Sequence, residues 1–215
     1  MVTLLITRPL YEHTTHYLHF WSKKIIDFAK SRGNKVLDLS EDKVNRKNFE
    51  NILRKMKPKL VLLNGHGEKD RIYGQDDKEL IIAGENEDLL ENKIVYVVAC
   101  DKSEELGPKC IENGVTSYIG YKEKFLFWTN PSYATKPLED PRARVFLEPS
   151  NLISESLLKG HTTQESYDKS KTAIRKNIQH LIATNSPDQF MIPDLIWNME
   201  NLECLGNQNA KLESL

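Results

Sequence analysis

Short apolar runs alternate with amphipathic stretches through the first 120 residues, and this alternation constrains the fold more than any other feature of the chain. Between the runs, apolar residues recur at helical spacing near 17–28, 45–56 and 103–112, which predicts three helices. Strands that alternate with helices form a mostly parallel sheet with helices on both faces, so we expect an α/β fold. Five runs rich in Val, Ile and Leu are predicted strands: Val2–Ile6, Val36–Leu39, Leu60–Leu63, Ile94–Val98 and Thr116–Ile119.

The second part of the chain has a different pattern. Residues 122–150 carry four prolines and are predicted to form a long ordered loop. Two helices are predicted after it, over Asn151–Lys159 and Gln164–Ala183, and the tail Ile192–Leu212 is expected to pack back on the sheet. A small hairpin is predicted in the glycine-punctuated stretch 73–84. With no linker in the sequence, we expect one domain over 1–215, in which 122–190 is a loop and helical elaboration.

Composition narrows the classes of partner. The 30 basic and 31 acidic side chains nearly cancel, so we expect neither nucleic acid nor a membrane as partner. Apolar runs stay far below the 18 residues of a membrane span, which favours a cytoplasmic protein. The three cysteines form no C-x-x-C pair, so neither a disulfide framework nor a structural zinc site is indicated. The histidines of the first helix, three residues apart, favour a polar helix face over a metal site: His13, His16 and His19.

Two candidate catalytic residues follow neighbouring predicted strands. His66 comes directly after the third strand and Cys100 directly after the fourth. Functional groups gather at the carboxyl ends of parallel strands, so we expect the imidazole and the thiol to meet at one sheet edge. There an imidazole increases the thiolate fraction or takes the thiol proton during attack. The N–H groups of Gly67 and Cys100 are candidate oxyanion donors. The plainer alternatives are an ordinary glycine-rich turn and an inert core cysteine.

The residues around these two positions resemble a known family. The segments Leu62–Gly67 (LLNGHG) and Val97–Ser103 (VVACDKS) are similar to the paired motifs of the caspase-like cysteine peptidases, and most similar to the CHAT branch and to gingipain-type peptidases. Further similarity lies in Leu106–Gly114, in Tyr118–Tyr121 and in Trp197–Asn207. The resemblance therefore covers about 1–121 and 192–212, and leaves the middle section unplaced.

The resemblance implies a caspase-like three-layer α/β/α sandwich with endopeptidase activity and without a metal or other cofactor. It implies that His66 is the base, Cys100 the nucleophile of a thioester intermediate, and Gly67 an oxyanion donor. Protein or peptide substrates follow from it, together with a possible regulatory protein partner. His66 and Cys100 lie 34 positions apart, where caspases proper show about 50, which favours a prokaryotic relative.

Substrate specificity stays open between acidic and basic side chains at P1, the residue before the cleaved bond. Arg8, after the first strand, would bind an acidic P1 side chain through two hydrogen bonds, unless it is only a solvated strand end. Asp101 and Asp38 are the rival candidates and favour a basic P1 side chain. Val98 stands where several relatives that cut after Arg or Lys carry an Asp, so this position gives no support for a basic P1 side chain. Aromatic residues of 125–133 are candidates for subsites or for loop anchors.

Two alternative functions remain open. The family's usual Cys-x-Ser/Thr-Gly is replaced here by CDKSE over 100–104, which favours a catalytically inactive caspase-like domain that acts as an interaction or regulatory module. An α/β cysteine hydrolase of the amidotransferase type fits less well, because in those enzymes a glycine-flanked Cys precedes the His.

Overall fold

The computed structural model of the chain describes residues 1–99 and 105–214. The strands within these residues are β1 (Thr3–Arg8), β2 (Lys35–Ser40), β3 (Leu60–Gly65), β4 (Gly67–Glu68), β5 (Arg71–Tyr73), β6 (Glu79–Ile82), β7 (Ile94–Ala99), β8 (Ser117–Tyr121) and β9 (Leu202–Gly206). The helices are α1 (His13–Ser31), α2 (Arg46–Met56), α3 (Leu106–Glu112), α4 (Pro141–Leu158), α5 (Thr163–Ala183) and α6 (Ile192–Asn201).

The central sheet has six strands in the order β2-β1-β3-β7-β8-β9. The first five are parallel to one another, and β9 pairs antiparallel with β8. This confirms the predicted mixed α/β fold with a mostly parallel sheet. It also confirms that the tail of the chain packs back on the sheet, because β9 forms its last strand.

Alternate strand residues face two separate cores, one on each side of the sheet. On one side Leu4 and Ile6 pack with apolar residues of α1, α4, α5 and α6. On the other side Leu5 packs with residues of α2 and α3 and of the small strands β5 and β6. Strands buried on both faces read as nearly continuous apolar runs, which is why the sequence identifies them so clearly.

The prediction of a loop through 150 is wrong, because α4 begins at Pro141. Proline has no N–H, but the first residue of a helix needs none. Asp140 caps the helix by accepting hydrogen bonds from the N–H groups of Arg142 and Ala143, at 2.9 and 3.3 Å. Pro149 lies inside α4 and removes the donor that would bind the Val145 carbonyl. The side-chain amide of Asn177 in α5 donates to that carbonyl at 2.7 Å instead.

The predicted hairpin near 73–84 is part of a larger unit. Strands β4, β5 and β6 form a separate antiparallel sheet that begins at Gly67, directly after His66. This unit lies between β3 and β7 in the sequence, and its apolar residues Ile72 and Leu80 belong to the same core as α2 and α3.

The order of the strands creates a switch point between β1 and β3. From β1 the chain passes through α1 to β2, and then through α2 to β3 on the other side of β1. The connections that leave the carboxyl ends of β1 and β3 therefore diverge and open a crevice, which is where ligands bind in open α/β sheets.

Candidate functional site

His66 lies at this crevice, between β3 and β4. The preceding residue Gly65 pairs with Ala99, the last residue of β7. The backbone of His66 is fixed by the small sheet, because the Tyr73 N–H donates to the His66 carbonyl at 2.9 Å. Its side chain is 27% exposed, so the imidazole is accessible to a ligand and still has neighbours on several sides.

The two positions beside His66 favour glycine for different steric reasons. Gly65 has φ +153°, and a Cβ there would lie 2.8 Å from the Tyr73 carbonyl oxygen. A Cβ on Gly67 would lie 3.0 Å from Ile72 Cδ1 and 3.2 Å from Ala99 Cβ. Glycine at both positions therefore lets the chain turn while the ends of β3 and β7 stay close together.

Glu12 is the acidic neighbour of His66, and its Oε1 lies 3.3 Å from His66 Nε2. The residue caps α1: its carboxylate accepts hydrogen bonds from the N–H groups of Thr14 and Thr15, and the Thr15 hydroxyl accepts one from the Glu12 N–H at 3.1 Å. Burial opposes ionisation of this carboxyl group. The two amides and the imidazole outweigh burial, so the pKa of Glu12 is lower than usual.

The segment before Glu12 is held by the β5–β6 connection. The side-chain amide of Gln75 accepts from the Leu10 N–H and donates to the Leu10 carbonyl, both at 2.9 Å. The Tyr11 hydroxyl donates to Asp77, and the Tyr11 ring meets the His66 ring edge-on with centroids 6.0 Å apart. Burial and the Asp77 acceptor raise the pKa of Tyr11, which keeps the phenol protonated.

Sequence reasoning missed Glu12. Two signals point to it: Glu12 follows the first strand, and it precedes Thr15 by three residues in a reciprocal cap of the helix. Glutamate is not a preferred residue at this cap position, so an acidic side chain there is a candidate for a second role.

The predicted substrate ligands Arg8 and Asp38 bind each other. Arg8 Nε donates to Asp38 Oδ1 at 2.9 Å and Nη2 donates to Oδ2 at 2.6 Å, while Nη1 donates to the His19 carbonyl at 3.1 Å. Arg8 is buried, so the alternative of a solvated strand end is wrong. A substrate would have to break this ion pair before it bound either side chain.

Cys100 and Asp101 lie outside the described residues. Gly67, the other predicted oxyanion donor, is buried and pairs with Ile72 in the small sheet. The structure therefore brings His66 and Gly67 together with the end of β7 at Ala99. Glu12 is a further member of this group.

The other two thiols are packing residues, as predicted. Cys110 is buried in α3, where burial and then the charge of Glu87 raise its thiol pKa to about 12. Cys204 in β9 is partly buried against the core that includes α1, and burial raises its pKa as well. Neither thiol is activated, because a nucleophilic cysteine needs a pKa near or below its ordinary value.

The three histidines of α1 each contact an oxygen of the protein. His13 Nε2 lies 3.0 Å from Thr129 Oγ1, His16 Nε2 lies 3.0 Å from the Ala134 carbonyl, and His19 Nδ1 lies 3.1 Å from the Arg8 carbonyl. Over 1–99 and 105–214, no three His, Cys, Asp or Glu side chains form a group that could hold a metal ion. None of the helices in these ranges combines the length and apolar character of a membrane span.

A cleft of about 300 Å³ lies beside the first turn of α1 and is lined by His13, Thr14 and residues 124–129. Phe125 is buried in the core, so it is an anchor of the segment. Trp128 is exposed and packs edge-on against Phe190, with ring centroids 5.0 Å apart. The cleft thus adjoins the residue that follows Glu12.

No model of a known protein family matches the chain, and no curated protein matches it significantly in sequence.

Proposed function

We propose that the protein is a cysteine endopeptidase in which His66 is the general base for Cys100. One observation carries the proposal: a partly exposed imidazole lies one residue beyond the pairing of Gly65 with Ala99, with a carboxylate at 3.3 Å. Cys100 follows Ala99 directly in the sequence, so its nitrogen is bonded to the carbonyl carbon of the last residue of β7. The paired motifs of the caspase-like peptidases support the same assignment.

In the proposed reaction, Cys100 loses its proton to His66 and its sulfur attacks the carbonyl carbon of a peptide bond. The oxyanion accepts hydrogen bonds from the N–H groups of Gly67 and Cys100, and losing one such donor costs about 3 kcal/mol. His66 then gives its proton to the leaving amine as the C–N bond breaks. Water, deprotonated by His66, cleaves the thioester and releases the acid and the thiol.

Glu12 is the proposed third member of this group. Its carboxylate faces Nε2 of His66, which leaves Nδ1 to exchange a proton with the thiol. A negative charge at this position stabilises the imidazolium that forms during attack, as the acidic member of other triads does. The two helix amides hold the carboxylate in place and favour its ionised form.

The fold group, substrates, location and relatives of the protein are part of the same proposal. We assign the fold to the caspase-like group, with protein or peptide substrates, no cofactor, a cytoplasmic location and a prokaryotic, CHAT-like relationship. The parallel sheet with helices on both faces supports the fold assignment. The cytoplasmic location rests on the short apolar runs and the cysteine pattern, and the other assignments rest on the motifs.

The proposal is tested by competitive alkylation of the three cysteines with iodoacetamide, followed by mass mapping. An activated pair predicts that Cys100 reacts much faster than Cys110 and Cys204, whose raised pKa values make them internal references. The rate at Cys100 should fall in His66→Ala and stay unchanged in His180→Ala, since His180 is an exposed residue of α5, a helix that packs mainly against α4.

Cleavage of a peptide library is the direct measurement of activity and P1 preference. Cys100→Ala should lower turnover by at least about a thousandfold. Slow and equal alkylation of all three cysteines, with no peptide cleaved, would rule out the peptidase and favour the inactive interaction module.

A further inference from the structure

A basic cleft lies at the opposite end of the sheet from His66. It has a volume of about 350 Å³ and lies between the end of α2, the turn before β7 and the amino ends of β3 and β7. Since β3 and β7 each contain six residues, the cleft is about 20 Å from the proposed catalytic edge. Its charged lining residues are Arg54, Lys57, Lys59, Lys93, Asp88 and Glu91.

The basic residues of the cleft outnumber the acidic ones by four to two. Arg54 belongs to the last turn of α2, where a cation is stabilised by the helix carbonyls and by Glu50 at 3.8 Å. Lys59 and Lys93 lie outside α2, so the dipole of this helix does not account for their positive charges in the cleft. Within the described parts of the chain, neither Lys57 nor Lys59 forms an ion pair with an acidic side chain.

Lys93 is partly buried in this cleft. Burial disfavours its charged form and the nearby Lys57 disfavours it further, so the pKa of Lys93 is lower than usual although Glu91 acts in the other direction. Its ammonium group donates to the Glu91 carbonyl at 2.9 Å, which leaves two of its three donors for a ligand. A bound anion would relieve the repulsion between the two lysines.

We propose that this cleft binds a small multivalent anion that carries phosphate groups, such as an oligophosphate or the phosphate end of a nucleotide. Lysines bind phosphate as point charges, and their spread around a concave surface suits a ligand with several anionic oxygens. A cleft of this volume suits a small ligand better than the backbone of a long nucleic acid. The site is separate from His66, so the inference is independent of the proposed peptidase activity.

The test is calorimetric titration of the full chain with inorganic pyrophosphate at constant ionic strength. Wild-type protein should bind with a dissociation constant below about 1 mM. Lys57→Gln and Lys93→Gln should each weaken binding by about tenfold, because each removes a charge-assisted hydrogen bond. Lys23→Gln is the matched control: it removes the same charge from an exposed position on α1 and should change the constant by less than about twofold.

A melting curve of each variant without ligand separates loss of binding from loss of folding. Lys93→Gln should melt close to wild type, because Lys93 is only partly buried and its bond to the Glu91 carbonyl is exposed. Titration with ATP should give an affinity similar to that of pyrophosphate if the phosphate groups make the contacts. The proposal is overturned if wild type does not bind either compound, if Lys23→Gln weakens binding as much as Lys57→Gln, or if an oligonucleotide binds tighter than pyrophosphate and all three lysines contribute equally.

Discussion

At the scale of single residues, Glu12 combines two tasks that usually fall to different side chains. One carboxylate closes the first turn of α1 and also lies against His66 Nε2. The two tasks differ in their need for length. A shorter acidic side chain caps a helix well, whereas contact with His66 requires the reach of glutamate. This difference allows the two tasks to be separated by mutation.

Glu12→Asp should therefore keep the helix cap and lose the contact with His66. We expect the melting temperature to stay within about 4 °C of wild type, which corresponds to about 1 kcal/mol or less. The rate of Cys100 alkylation and kcat should fall by about tenfold, because the imidazolium loses its nearby charge. Unchanged rates in a folded protein would contradict the positioning role of Glu12.

Glu12→Gln tests the pH dependence of the cap. The folded-state pKa of Glu12 is lowered, so its ionised form contributes stability that is present above the unfolded pKa of about 4.3 and is lost as the pH falls through the folded value. Glu12→Gln should lower the free energy of unfolding by about 1 kcal/mol at pH 7 and by less at pH 3. Urea unfolding at both pH values measures this difference, and an equal loss at both would contradict it.

At the scale of elements, α4 shows how a helix accommodates an internal proline. The predicted helix over Asn151–Lys159 matches the second half of α4, but the prolines at 141 and 149 hide the first half. Pro149 is tolerated because Asn177 of α5 supplies the hydrogen bond that the backbone lacks. That compensation comes from a residue 28 positions later, so no local pattern reveals it.

Asn177→Ala should lower the free energy of unfolding by about 1–2 kcal/mol, because the Val145 carbonyl loses its donor. The same substitution in a Pro149→Ala background should cost less, since the N–H of an alanine at 149 can donate to that carbonyl. A double-mutant cycle by chemical denaturation measures the coupling. Additive effects would show that Asn177 does not compensate for Pro149.

At the scale of the whole molecule, the candidate site is assembled from the carboxyl ends of β1, β3 and β7. The sequence predicts the strands and the edge position of His66, because buried parallel strands are continuous apolar runs. It does not predict that β1 lies beside β3, and Glu12 depends on that neighbourhood. The sequence also does not predict that β1 and β2 lie side by side in register. Arg8 and Asp38 pair because of that register, so the sequence alone presents them as separate candidates.

Truncation of the chain tests how much β9, the last strand of the sheet, contributes to folding. Removal of residues 202–215 deletes β9, exposes β8 and leaves the core without the buried Leu202, Ala210 and Leu212. We expect loss of cooperative thermal unfolding, observed by circular dichroism. Removal of 213–215 alone keeps these residues and should leave the melting temperature within a few degrees of wild type. Cooperative unfolding of the longer truncation would contradict this role of β9.

The Gln75 side chain, which bonds both backbone groups of Leu10, has a consequence for how this corner of the protein responds to acid. A primary amide neither gains nor loses a proton as the pH is lowered through the range in which a carboxyl group titrates. The two hydrogen bonds between Gln75 and Leu10 therefore stay unchanged while Glu12 is protonated. Protonation of Glu12 in acid therefore weakens the contact between its carboxylate and the His66 imidazole. The segment before Glu12 stays in place, because Gln75 keeps both hydrogen bonds to Leu10.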